Sequence, residues 1–249
     1  MEEWLQHGYG VRFDWGPEGA RRLAPGSAYA VIVDVLSFTT SVSVLVDAGT
    51  RVHPRAWSET RTEGGPPVAV GRRAVTADRP WSLSPAALRR APRVPDLVLP
   101  SPNGSAIAAA VKDYCGLVAA SLRNAGAVGR WLREQGVGTP DRPLTVIAAG
   151  ERWPDDTLRP ALEDLLGAGA VIAATGATDL SPEARAAASV YKGIDDIARA
   201  VVDSASGREL AAQGFAEDVA IAVETDASDA VPVLRDGAFT AAAPGSGVD

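Results

Sequence analysis

Asp34 closes an apolar run, Val31-Ile32-Val33, and Ser37, Thr39 and Thr40 follow it within six residues. Asn103, Gly104 and Ser105 stand after a second run, Leu97-Val98-Leu99, and Glu151 with Arg152 after a third, Leu144 to Ala149. These side chains are carboxylates, hydroxyls, an amide and a guanidinium. That set suits a hard cation together with a phosphate group. Magnesium takes oxygen ligands and is usually held by one or two carboxylates, water and phosphate oxygens. Phosphate takes hydroxyl, amide and guanidinium donors and the oriented N–H groups of a helix start.

Each residue also has a plainer reading. Asp34 can be a turn or capping aspartate. A carboxylate beside a buried strand, however, must be solvated, paired or metal-bound, which favours the ligand role. Ser37, Thr39 and Thr40 can simply open a helix, and capping and phosphate binding use the same helix end. Asn103-Gly104 can be only a turn, but it leads into a helical pattern rather than a second strand. Glu151 and Arg152 can be an ion pair. Asp155 and Asp156 read as a solvated turn, Asp218 as a local cap or pair, and Cys115 as a small core residue.

The elements that must position these groups repeat as strand, polar loop, helix. Ala30 to Val35 reads as a buried strand, and Val42, Leu45 and Val46 mark the following helix, with Gly49 as its stop. Leu97 to Leu99 leads to a helix marked by Ile107, Ala110, Val111 and Tyr114. Leu144 to Ala149 leads to one marked by Leu162, Leu165 and Leu166, closing near Gly169. A fourth unit runs from Leu117 to Ala120 into a helix over Ala125 to Gln135, with Asn124 as a cap. Alternating strands and helices predict an α/β fold with a mostly parallel sheet, whose ligands bind at the carboxyl ends of strands.

The segment from Arg51 to Arg93 reads as a less regular excursion, with a short strand at Val68-Ala69-Val70. Ser181-Pro182 predicts a helix start. Ser206 and Glu209 have capping-box spacing and Gly214 fits a helix stop. Val231 to Leu234, Asp236-Gly237 and Phe239-Thr240 predict a hairpin. Residues 1–240 are expected to form one domain and 241–249 a flexible tail.

Composition narrows the function classes. The chain has 249 residues, a formal charge of −7 and 46% apolar residues, enough length for a hydrophobic core. An acidic protein repels a phosphate backbone, so nucleic acid is not an expected partner. One cysteine excludes an internal disulfide and agrees with a reducing compartment. No apolar stretch is long enough to span a membrane and the N-terminus lacks a signal-peptide pattern, so a cytoplasmic location is expected. Dinucleotide, Walker, HExxH and nucleophile-elbow motifs are absent. With only His7 and His53, neither in a strand-end loop, a Ser-His-Asp triad or zinc site is not expected.

The loops resemble those of the 2-phosphosulfolactate phosphatase family. Asp34-Val35-Leu36-Ser37-Phe38-Thr39-Thr40 is similar to that family's Asp-Val-Leu-Arg-Ala-Thr-Thr, and Asn103-Gly104-Ser105 to its Asn-Gly-Thr. Ser121-Leu122-Arg123-Asn124-Ala125, Leu162-Glu163-Asp164-Leu165-Leu166-Gly167-Ala168-Gly169, Gly214 to Val219 and Asp229 to Val233 match further motifs in the same order. Each is weak alone; the shared order is specific. The resemblance implies a three-layer α/β/α fold with mixed, mostly parallel sheet and two similar, intertwined halves. It also implies magnesium-dependent hydrolysis of a small phosphorylated acid, 2-phosphosulfolactate.

The chain departs from that pattern where the family has Arg in the first loop and this chain has Ser37. It departs again where a family Gly-Glu-Arg reads Gly71-Arg72-Arg73 and where Asp78 to Pro85 replaces a Phe-Asp and Asn-containing stretch. Arg72, Arg73 or Arg79 could compensate for the loop arginine. Glu163 and Asp164 by default read as a solvated helix face; the resemblance makes Glu163 the better candidate and leaves Asp164 weaker. The expected site therefore has Asp34 and Glu163 as catalytic groups and Asp34, Glu151 and Glu163 as Mg²⁺ ligands. Ser37, Thr39, Thr40, Asn103, Gly104, Ser105 and Arg152 are its phosphate contacts. A homodimer is compatible with this reading. The alternatives are a non-catalytic homologue that binds a small anion, and a phosphatase for a different phosphorylated acid.

Overall fold

A computed structural model describes residues 2–56 and 64–242. Its centre is an eight-stranded mixed sheet in the order β1-β6-β2-β5-β9-β10-β3-β4. The strands are β1 (Val11–Trp15), β2 (Tyr29–Val33), β3 (Arg51–Arg55), β4 (Asp96–Pro100), β5 (Gly116–Ala120), β6 (Leu144–Ala148), β9 (Pro232–Arg235) and β10 (Ala238–Ala241). A separate two-stranded ribbon joins β7 (Glu151–Arg152) to β8 (Leu158–Arg159). β1, β6, β2 and β5 are parallel neighbours, as are β3 and β4. The β9–β10 hairpin lies between these parallel pieces and is antiparallel to both. Each join is a single residue pair, Val118 with Val233 and Phe239 with Val52.

Helices cover both faces because the strands are apolar on both faces. Val31 and Val33 point into one core with residues of α5 (Ala125–Glu134), α6 (Leu162–Thr175) and α7 (Pro182–Gly193). Ala30 and Ile32 point into the other, shared with α1 (Gly16–Leu23), α2 (Phe38–Asp47), α3 (Pro85–Arg90) and α4 (Gly104–Val111). α8 (Ile197–Asp203), α9 (Ala205–Ala212) and α10 (Ala216–Ala222) complete the set. The three-layer α/β architecture and the mostly parallel sheet agree with the expectation. Among the described residues no helix is long and apolar enough to cross a membrane.

Local chemistry explains the boundaries. Ser181 Oγ accepts the Ala184 N–H at the start of α7, with Pro182 in its first turn. Asp236 and Gly237 both have positive φ, which a two-residue hairpin turn requires. Several expectations are corrected. Gly169 does not close α6, which runs on to Gly176; a side chain at Gly169 would meet the Ala187 carbonyl oxygen at 2.3 Å, so this glycine lets α6 and α7 pack closely. α9 is capped by Ser204, not Ser206. Asn124 precedes α5 but its side chain makes no cap bond; its Oδ1 accepts the Ser121 N–H and its Nδ2 reaches the Ala230 carbonyl. The segment read as irregular contains β3 and α3, while Val68 and Val70 make only isolated bridges. Ala241 pairs with Pro232 in β10; of the expected tail, 243–249 lies outside the described residues.

Candidate active site

Where β2 ends, the backbone turns at Asp34 and enters α2 four residues later. The Asp34 carboxylate accepts two backbone N–H groups, from Phe38 through Oδ1 and from Gly104 through Oδ2, each at 3.0 Å. The first holds the start of α2. The second pins the start of α4 to it, although 70 residues separate the two. Gly104 is required there: a Cβ would stand 2.2 Å from the Phe38 ring and 3.0 Å from Asp34 Oδ2. α4 accordingly packs on α1 and β2 as well as β3, which brings the turn after β4 beside the turn after β2.

α6 supplies the opposite wall. Asp164 accepts N–H groups from Val35 at 2.7 Å and Gly150 at 2.8 Å, so it ties the turns after β2 and β6 together. Glu163 is 1% exposed and lies 3.2 Å from Ser204 Oγ. Glu151, at the start of β7, is met by Asn103 Nδ2 at 3.4 Å. Asp34, Glu151, Glu163 and Asp164 thus converge from distant stretches of chain. Burial pushes Asp34 up to about 6, opposed by its two N–H donors and by the Arg72 charge and reinforced by Glu163. Burial, then the charges of Asp34 and Glu163, pushes Glu151 up to about 7. Asp164 is raised well above the usual carboxylate range by burial, then by Asp34 and Glu163.

The expected phosphate contacts divide. Asn103 and Ser37 stand at the carboxylates: Ser37 Oγ accepts from Arg72 Nη2 at 2.7 Å, and Arg72 Nε also donates to Asp218 Oδ2. Gly104 gives its N–H to Asp34. Thr39 and Thr40 turn inward and spend their hydroxyls on the loop itself, donating to the carbonyls of Asp34 and Val35. Ser105 donates to the Leu99 carbonyl at 3.4 Å. These three hold the turns rather than present free donors, because a buried hydroxyl takes the nearest backbone acceptor. Arg152 is exposed on the β7–β8 ribbon, where its guanidinium meets the carbonyl and carboxylate of Asp156. It still borders a narrow cleft with Trp15, Asn103, Glu151 and Leu158. Cys115 is half-buried against the core, its thiol pushed up to about 12 by burial, as a packing residue.

Two residues expected to play lesser parts stand at the site. Asp164 is buried at the centre of the cluster instead of solvated. α6 has no charged residue besides Glu163 and Asp164, so it offers no polar face for them to share with water. Asp218 is not a local cap or pair: it is 1% exposed and accepts from Ser84, Ala86 and Arg72, all far away in sequence.

The donor set fits a hard divalent cation. Its carboxylates are buried and repel one another, a cost that a cation relieves. Among the described residues no group of three or more His, Cys, Asp and Glu forms a ready-made metal cage. Magnesium does not require one, since it keeps several waters and needs one or two carboxylates.

The chain is similar to known phosphatases. The profile described as 2-phosphosulpholactate phosphatase matches residues 71–237. A protein of Thermotoga petrophila described as a probable 2-phosphosulfolactate phosphatase is 27% identical over 219 residues, covering 84% of this chain and 90% of that one.

Proposed function

Because the chain belongs to the 2-phosphosulpholactate phosphatase family, a family of phosphoric monoester hydrolases, we propose that it hydrolyses a small acidic phosphate ester of the 2-phosphosulfolactate kind with Mg²⁺ as cofactor. The observation that carries this reading is the meeting of Asp34, Glu151 and Glu163 with the start of α2 and the Asn103-Gly104 turn. One or two of Asp34, Glu151 and Glu163 would hold Mg²⁺, with water filling the remaining positions, and the ion when bound would neutralise phosphoryl charge. Ser37 and Asn103 then offer hydrogen bonds to phosphoryl oxygens, while Thr39, Thr40, Ser105 and Asp164 keep the turns in place. Charge that spreads over the phosphoryl oxygens in the transition state meets donors already oriented by the fold.

Phosphate release from a panel of small phosphorylated acids, with and without Mg²⁺, tests this. Turnover is expected for 2-phosphosulfolactate and to depend on Mg²⁺. Anion binding by folded protein with no turnover on any member would favour the non-catalytic alternative.

A pH dependence follows from the same cluster. Glu151 has its carboxyl raised from an ordinary 4.5 to about 7, and Asp34 from 3.8 to about 6. Between the ordinary and raised values the folded chain binds more protons than the unfolded chain, so stability falls as pH rises. The thermal midpoint of the metal-free protein is therefore expected to drop between about pH 4 and pH 7. Added Mg²⁺ should raise it most at the upper end, because cation binding competes with protons. A midpoint that climbs steadily across this range without metal would contradict the cluster's electrostatics.

A further inference from the structure

We infer that Arg72 is the residue that grips the substrate's oxyanion. The inference rests on the phosphatase reading above and assigns its cationic contact. Arg72 sits in a short 3-10 turn, Arg72–Ala74, facing the start of α2. Its guanidinium is held on three sides: Nε donates to Asp218 Oδ2 at 3.1 Å, Nη2 donates to Ser37 Oγ at 2.7 Å, and Cζ lies 5.7 Å from the centre of the Phe215 ring. Nη1 makes no hydrogen bond among the described residues. The side chain is 20% exposed, against 1% for Asp218, so the group is fixed but not sealed.

The plainer reading is a structural ion pair that ties the Arg72 turn to α10. Three observations go beyond it. An ion pair is complete at Asp218, yet the fork extends past it to Ser37, the residue that precedes the first turn of α2. The Arg72 charge also reaches Asp34 at the cluster. Finally, an acidic ester approaching a cluster of carboxylates needs a cation that, beyond its own ion pair, also reaches the first loop. Arg159, whose charge reaches Glu151, is bound to Glu209 at 2.8 Å and lies over Trp153. Arg73 and Arg79 are exposed. Arg72 alone of the three candidate arginines joins the first loop. A planar guanidinium with Nε and Nη2 held and Nη1 without a bond among the described residues is suited to carboxylate, sulfonate or phosphate oxygens.

This assignment also gives the 214–219 segment its purpose. Phe215 underlies the guanidinium and Asp218 orients it, while Asp218 also accepts from Ser84 and Ala86 at the start of α3. Asp218 is a positioning residue, and the Arg72 turn, α3 and α10 are locked together through it.

Calorimetric binding of inorganic phosphate and of sulfolactate, measured alongside KM and kcat, separates the possibilities. Arg72→Gln is expected to weaken at least one anion by about 10- to 100-fold. Loss for phosphate places the guanidinium at the transferred group; loss for sulfolactate places it at the acid. Arg72→Lys, which keeps the charge but not the fork, should fall between and serves if the glutamine variant does not fold. The double variant Arg72→Ser with Ser37→Arg returns a guanidinium across the 2.7 Å contact and should recover part of the loss. Arg79→Gln is the surface control. A folded Arg72→Gln, or failing that Arg72→Lys, that binds both anions with unchanged affinity and KM overturns the inference while leaving the phosphatase reading intact. A wild-type protein that neither turns over any ester nor binds either anion removes both.

Discussion

Asp34→Asn lowers kcat by about 100- to 1,000-fold, with Glu163→Gln falling in the same range. The asparagine is nearly isosteric, and its Oδ1 can still accept one of the two N–H groups, from Phe38 or from Gly104, that the carboxylate now binds. The charge is lost, and one N–H faces an amide that cannot accept. Folding is therefore largely kept while the cation loses a ligand. The loss should appear mainly in kcat, because removing an interaction that strengthens in the transition state lowers kcat and kcat/KM together. Calorimetric Mg²⁺ binding should weaken in the same variants. Steady-state kinetics on wild type and both variants check this, and an Asp34→Asn enzyme with wild-type kcat would remove Asp34 from the chemistry.

The largest effect on stability is expected at Asp164. Asp164→Ala removes the acceptor for Val35 N–H and for Gly150 N–H, both in buried surroundings. Each buried donor left unpaired costs about 1–3 kcal/mol, so the variant should lose roughly 2–6 kcal/mol. Part of that loss is offset, because removing a carboxyl raised by burial and by Asp34 and Glu163 relieves repulsion in the cluster. Domains of this kind have only about 5–15 kcal/mol of net stability, so the change should be plain in a urea transition. Asp164→Asn retains one acceptor and should cost less than alanine. Equal midpoints for wild type and the alanine variant would show that the two turns are held by something else.

The residues that were legible in the sequence share one property: their neighbours along the chain announce them. Asp34 directly follows an apolar run, and Asn103 and Glu151 stand a few residues beyond runs of their own; the structure places the three just past the ends of β2, β4 and β6. Ser181-Pro182 and Asp236-Gly237 specify their own backbone geometry and were read correctly for that reason. What the sequence hid depends on packing across distance. Gly169 has the look of a stop, yet its meaning is the Ala187 carbonyl of a neighbouring helix. Thr39 and Thr40 have the look of phosphate donors, but burial turns their hydroxyls onto nearby carbonyls. Asp218 meets Arg72 across 146 residues, and no local pattern near either residue records that meeting. β3 was missed because its exposed arginines and Pro54 break the apolar run that marks the other strands.

The late position of the β9–β10 hairpin sets an order of assembly. The parallel pieces on either side are encoded before residue 121, apart from β6, yet each shares only one ladder pair with the hairpin. During synthesis β5 and β3 therefore wait as open edges until the hairpin emerges and docks between them. Such late, long-range closure makes for slow folding and leaves edges that can recruit other chains. The narrow joins also make the hairpin the seam along which the finished sheet would part first under load.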